Sequence, residues 1–527
     1  VDGSTAAPSG YPRLVQVAIA IGLLVAVAIL VLIVLFGGGT PSIVARWMPP
    51  DTAAYLELRF DLAADQADDL ARFVPDLAYD DTTGETESSE IIGAILRGLG
   101  AGEVDGELSA WFGGQLGLGH AAGTAPSPVG QSGWLVVATV TDEPAARAWL
   151  ERTVGDLEGL AWDVTSGVAL VGDPGSVRAG VATGGSSSFA SRPEVATARR
   201  PLGGDQVAFA FVDGAAMATA LADAVPEDLP LPLSTVVRFD RAPAWVGAGL
   251  RFEDATAIAT TVVPHRAGLG ISNAASAIPA RVPATTLGLL DVHDAGVRLA
   301  SLGPAIGEMY GQADADRMLR MLGGVEQLTA WIAEAALVVD QAEGDPVMGL
   351  VAISTDTTRS TRLLGQLELA ARLTGGTVER SDHSGTAVVT VTPGGLGDLL
   401  GDRVGSPGWP MPVDREASVS WAVAGDLVIV SPDPGYVATI LDTAPETSLS
   451  ADQTFDDLLD KAGATGIALG WVDIDRARDL MQHRRPQASG EGGHQQGLTK
   501  FEAAVGTMTV GGATDRATLV VSVGQDR

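Results

Sequence analysis

GVALVGDPGSVRAGV, residues 167–181, returns at residues 427–441 as LVIVSPDPGYVATIL, and the QVAFAFVD at 206–213 returns at 466–473 as GIALGWVD. The match runs ungapped from Ser166–Leu221 onto Asp426–Met481, with Asp173-Pro174-Gly175 falling on Asp433-Pro434-Gly435 and Phe211-Val212-Asp213 on Trp471-Val472-Asp473. Self-similarity of this length marks an internal duplication, which decides the architecture before any single element is placed. Working outward in the same order, Pro50, Thr52 and Leu56 resemble Pro283, Thr285 and Leu289, while Ala110-Trp111 resembles Ala330-Trp331. The strand ending at Asp142 resembles the one ending at Asp356.

Each copy alternates strand and helix patterns. AAYLELRF reads as a strand, and in the DLAADQADDLARFV that follows, Leu62, Gln66, Leu70, Phe73 and Val74 have helical spacing. Asp142, Asp173 and Asp433 each precede a proline by one or two residues, the pattern in which an aspartate side chain accepts the free N–H groups of a first helical turn. The expected fold is α+β: two tandem, related units, each a mixed, largely antiparallel sheet packed by helices on one side. The first unit is placed at 49–264, the second at 279–527, and a linker at 265–278.

Ahead of the first unit, Leu14–Phe36 is 23 residues without a charge. At about 1.5 Å per residue that is long enough for a hydrocarbon core of about 30 Å. It is also longer than the roughly 7 to 15 apolar residues of a signal peptide. The expectation is a single-pass membrane protein with a short head at 1–13, a transmembrane helix at 14–36 in contact with the bilayer, and a juxtamembrane linker at 37–48. Arg13 before the helix sets the N-terminus inside and the large C-terminal portion outside the cytoplasm.

Composition narrows the function classes. A chain of 527 residues is too long for one core. Its 65 acidic against 33 basic residues, a net charge of −32, would repel nucleic acid. Cysteine is absent, which removes disulfides, thiolate metal sites and thiol nucleophiles together. No two of the six histidines, at 120, 265, 293, 383, 483 and 494, have helical zinc spacing. Asp382, His383 and Ser384 have the residue types of a hydrolytic triad but, as sequence neighbours, point apart. Gly113–His120 reads as a glycine-rich strand instead of a phosphate loop. Asp452, Asp456 and Asp460 share a helical face but correspond to Arg192, Ala196 and Arg200 in the first copy, which reads as a solvated face. Trp111, Trp331, Trp149, Trp245 and Trp471 are assigned to cores, and Trp409, between prolines, to an exposed loop. No catalytic, cofactor-binding or metal-binding residue is assigned and no cofactor is expected.

PPDTAAYLELRFDL, SAWFGGQLGLG and GDPGSVRAGV with SFASRPEVATARRPLGGDQVAFAFVD resemble the bacterial family called domain of unknown function 3352. The resemblance covers most of the chain beyond residue 36 and implies a membrane-anchored envelope protein; it carries no catalytic residue. The expected function is non-enzymatic binding of an envelope protein, a peptide or an apolar ligand, since duplicated units form clefts where pockets are common. The alternatives are a hydrolase or other enzyme with dispersed Asp, Glu, Ser or His residues, and a structural or assembly subunit.

Overall fold

The structure is a computed structural model that describes residues 42–62, 64–73, 108, 110–121, 133–155, 159–184, 186–204, 206–216, 243–266, 271–301, 324–342, 345–373, 375–392, 418–484 and 500–524. They divide into two units, with the described residues of 271–509 in one and those of 42–266 and 510–524 in the other.

In the first unit the strands are β1 (Thr52–Arg59), β2 (Phe112–Ala121), β3 (Trp134–Val140), β4 (Ala161–Thr165), β5 (Val168–Gly172), β6 (Ala208–Asp213), β7 (Trp245–Glu253) and β8 (Thr256–Pro264). They pair in the order β4, β5, β3, β2, β1, β6, β7, β8. Successive side chains of a strand point to opposite faces, and here both faces are apolar. Phe209 and Phe211 of β6 join Tyr55, Val137 and Leu170 in a core completed by Val177 and Val195 of the helices Pro174–Thr183 and Pro193–Arg199. On the opposite face Leu58, Leu116, Ala208 and Leu250 pack with Leu70 and Phe73 of the helix Ala64–Phe73.

The second unit repeats the plan with β9 (Gly288–His293), β10 (Ile332–Ala342), β11 (Asp345–Ser354), β12 (Thr377–His383), β13 (Thr386–Thr392), β14 (Val419–Ala424), β15 (Leu427–Ser431), β16 (Ala468–Asp473) and β17 (Phe501–Thr509). Their order is β12, β13, β14, β15, β11, β10, β9, β16, β17. The hairpin β12–β13 has no counterpart among the described residues of the first unit. The remaining strand, β18 (Thr514–Val523), belongs to the first unit, where it pairs with β8 about Thr260↔Thr518.

The expected α+β class with mixed sheets packed on one side is therefore corrected. Every strand pairing described is antiparallel, and the first sheet carries helices on both faces because its inward and outward positions are both apolar. An alternation of strand and helix patterns does not encode strand direction, so the sequence left room for parallel pairs that the structure does not form.

The single-pass membrane reading is not retained either. Among the described residues no helix is long and apolar enough to cross a membrane. The longest, Thr357–Leu373, has 17 residues and carries Arg359, Arg362, Glu368 and Arg372. The expected span Leu14–Phe36 lies outside the described residues, as does Trp409.

Local chemistry explains several junctions. Asp142, Asp173 and Asp433 cap their helices through Ala145 N, through Gly175 N and Ser176 N, and through Gly435 N. Part of the stretch read as a juxtamembrane linker packs into the first core through Val44, Ala45 and Met48. Its 3-10 helix Val44–Arg46 is matched by Ile278–Ala280 ahead of β9.

Candidate functional site

Strand register fixes which residues of the two copies are equivalent. Tyr55 of β1 lies opposite Phe211, and Leu289 of β9 lies opposite Trp471. Since Phe211 and Trp471 are repeat partners, Tyr55 matches Leu289 and Glu57 matches Asp291. The offset is 234, one more than the sequence comparison suggested. A second slip occurs after β5, where Gly172 leads straight into Asp173 but Ser431 is followed by Pro432 before Asp433.

The matched acids Glu57 and Asp291 are both fully buried. A carboxylate taken out of water is costly unless charge and hydrogen bonds replace the lost hydration. In the first unit they do so at one oxygen, Glu57 Oε2, while Oε1 has no hydrogen-bond partner. Arg199 Nη2 lies 2.6 Å from Glu57 Oε2, and the Tyr55 hydroxyl donates to the same oxygen at 2.8 Å. Burial, and next the charge of Glu57, holds the Tyr55 phenol well above its ordinary range, so it stays a donor. The Arg199 guanidinium also lies over the Phe209 ring, 3.8 Å from its centroid.

The second unit has neither donor. Leu289 stands at the position of Tyr55, and the offset of 260 puts Leu459 at that of Arg199. Neither Asp291 oxygen has a hydrogen-bond partner. Beside it instead are His293, two residues on along the same face of β9, and Glu334, opposite His293 on β10. His293 Nε2 is 3.2 Å from Asp291 Oδ2, without the alignment of a hydrogen bond, and 3.8 Å from Glu334 Oε1. The other ring nitrogen, Nδ1, is 2.6 Å from the Gly466 carbonyl oxygen. Because a carbonyl can only accept, that nitrogen carries the proton.

Glu334 is anchored by the turn that opens the unit. Its Oε1 accepts from Ser276 Oγ at 2.6 Å, Ala277 N at 2.9 Å and Ile278 N at 3.2 Å. Burial first, then the charge of Asp291, raises its carboxyl above the usual range. The hydrogen-bonding proximity of Asp291 raises the His293 imidazole, against the opposing effect of burial. A cleft of about 140 Å³ reaches this cluster and is lined by Ser276, Pro279, His293, Phe455, Leu459 and Thr507.

The opposite face of β9 is chemically unlike this one. Leu290, Leu337 and Leu350 lie directly across from one another on β9, β10 and β11. They are 58%, 42% and 47% exposed. The equivalent residues of the first unit, Leu56, Leu118 and Val136, form the same row and are half-buried.

The residues weighed from sequence lie elsewhere. Asp382 accepts from Gly385 N in the β12–β13 turn, and His383 Nε2 is 2.8 Å from Asp442. Asp452 caps the helix Gln453–Ala462 through Phe455 N, which removes it from a shared metal face. Gly113–His120 lies within β2, and Trp111, Trp245 and Trp471 are buried. The Asp291, His293 and Glu334 cluster was not assigned from sequence. Asp-x-His in a strand, which places both side chains on one face, was the available signal.

No family model matches the chain and no curated protein matches it, so the resemblance to domain of unknown function 3352 stands without support or contradiction. Two solved structures, crystal forms I and III of TP0453, align at 7% and 8% identity. They cover 76% of this chain and 98% and 99% of their own, with TM-scores of 0.13 and 0.14, similarity too low to carry an argument about fold or function.

Proposed function

We propose that the chain is a non-catalytic binding protein whose second unit receives an amphipathic helix of a partner protein on the exposed leucine row of its sheet. The observation that carries this reading is the in-register trio Leu290, Leu337 and Leu350, left open to solvent across three strands. The choice of a helix as occupant comes from the first unit, where the same sheet face is packed by Leu70 and Phe73 of the chain's own helix Ala64–Phe73. Covering the exposed half of each leucine contributes about 1 kcal/mol per side chain, enough for three together to guide a specific contact.

A photo-crosslinking residue at Leu337 in the full chain, expressed in its native cells, tests the proposal. One discrete heterologous adduct is expected, mapping by mass spectrometry to the apolar side of a helix and lost in Leu290→Asp while thermal melting is unchanged. An adduct to lipid or to a second copy, or no adduct, overturns it.

A further inference from the structure

We propose that Asp291, His293 and Glu334 form a mononuclear site for a divalent transition-metal ion of the zinc class. One ligand atom from each residue lies within 4.8 Å of the others, a grouping that occurs once among the described residues. Tetrahedral zinc with ligands about 2.0–2.2 Å away spaces those ligands about 3.3–3.6 Å apart. The observed separations of 3.2 Å and 3.8 Å from His293 Nε2 bracket that spacing.

Three further observations point to a cation. First, the Gly466 carbonyl holds a proton on Nδ1, so that in the neutral imidazole the lone pair sits on Nε2, the nitrogen that faces two carboxylates. A backbone carbonyl orienting a ligating imidazole in this way is a recurrent support for metal ligands. Second, Asp291 is fully buried and neither of its oxygens has a hydrogen-bond partner, with His293 Nε2 lying 3.2 Å from Oδ2. Third, the repeat supplies an internal control. Where the first unit neutralises the same buried acid with Arg199, the second has Leu459 and a further carboxylate in its place. The missing positive charge is what a divalent ion provides.

Ligand chemistry selects the ion. One imidazole with two carboxylates suits zinc and its first-row neighbours, whereas calcium takes six to eight oxygens and magnesium keeps an octahedral, mostly hydrated shell. Ser276, Ala277 and Ile278 hold Glu334 in position, and the cleft lined by Ser276 and His293 opens beside the ligand set. The site stands apart from the docking proposal, because Asp291 and His293 face away from Leu290 on β9 and neither reading requires the other.

The test is titration of the full chain, stripped with chelator and dialysed, with Zn²⁺ by calorimetry, alongside Co²⁺ monitored by visible absorption and the X-ray absorption spectrum of the zinc-loaded protein. One zinc per chain is expected, with a tetrahedral Co²⁺ signature and an imidazole contribution to the scattering. Asp291→Asn and His293→Gln should each weaken binding by more than about a hundredfold, while Glu57→Gln, at the matched position of the first unit, leaves it unchanged. Absence of stoichiometric binding overturns the proposal in favour of a proton held within the cluster. So does calcium or magnesium binding as tightly as zinc, or zinc binding that survives both substitutions. If the variants fail to fold, zinc scattering from the wild-type chain without an imidazole shell is sufficient to reject it.

Discussion

Replacing Arg199 by methionine removes the guanidinium paired with the fully buried carboxylate of Glu57 and leaves the hydrogen bond from the Tyr55 hydroxyl. Removing one partner of a buried ion pair costs about 3–5 kcal/mol, because the remaining charge stays desolvated and uncompensated. The guanidinium over Phe209 adds about 0.5–1 kcal/mol. Arg199 is itself partly exposed, which moderates the penalty, so about 3 kcal/mol is the expected loss. The double variant Glu57→Met/Arg199→Met removes both charges and should recover most of it, as replacing a whole buried pair with apolar side chains is often neutral. Urea unfolding of the full chain followed by hydrogen exchange of β1 and β6 amides reads the first unit separately, which matters because a chain of two units need not unfold in one step. A loss below about 1 kcal/mol for the single variant, or a double variant no more stable than the single, refutes the account of Glu57 as an ionised buried acid that depends on Arg199.

Two further outcomes follow from the first unit. Asp173 accepts from Gly133 N, Gly175 N and both the amide and the hydroxyl of Ser176; burial opposes its ionisation, but these hydrogen bonds, led by that of the Ser176 hydroxyl, outweigh it and hold the carboxyl below its usual range. Its contribution is accordingly present above the ordinary aspartate pKa and lost as pH falls through the depressed value, so Asp173→Ala should cost about 1–2 kcal/mol at pH 7 and converge with wild type in acid melting curves. At Gly172 an added Cβ would sit 2.3 Å from the Trp134 carbonyl oxygen, so Gly172→Ala should force β5 from β3 and lower stability by more than about 2 kcal/mol in the same unfolding assay.

Much of the scaffold is legible in the residues themselves. Asp173-Pro174 and Asp433-Pro434 each start a helix, whereas Asp345-Pro346 opens strand β11, and the duplicated GDPG and SPDPG segments announce two related units. What sequence comparison could not supply was register to the single residue. Aligning Leu56 with Leu289 sets an outward position against an inward one, and a one-residue slip in a strand exchanges its faces. That slip would match Glu57 with Leu290 and hide the one equivalence that makes the second unit's acid notable. Strand direction, the apolar character of both sheet faces and the return of β18 to the first unit are likewise properties of pairing, which no local pattern records. The cluster itself joins neighbours on one strand to a residue 41 positions further on, at Glu334, and only the pairing of His293 with Glu334 across β9 and β10 brings them together.

The two copies differ where a structural reading alone would expect them to agree. A buried acid is a liability that a duplicated scaffold could shed by a single substitution to an apolar residue. The second unit has the acid but neither the arginine nor the tyrosine. It then placed an oriented imidazole and an anchored glutamate beside it, next to an opening toward solvent. Retaining the charge while discarding its neutralising partners makes sense if the cation now comes from solution. On the other side of the same strand Leu290 remains exposed, so β9 separates a polar interior site from an apolar exterior one by the alternation of its side chains. The two can then be lost one at a time: a substitution at Leu290 leaves the ligand set of Asp291 and His293 in place, and a substitution at His293 leaves the leucine row intact.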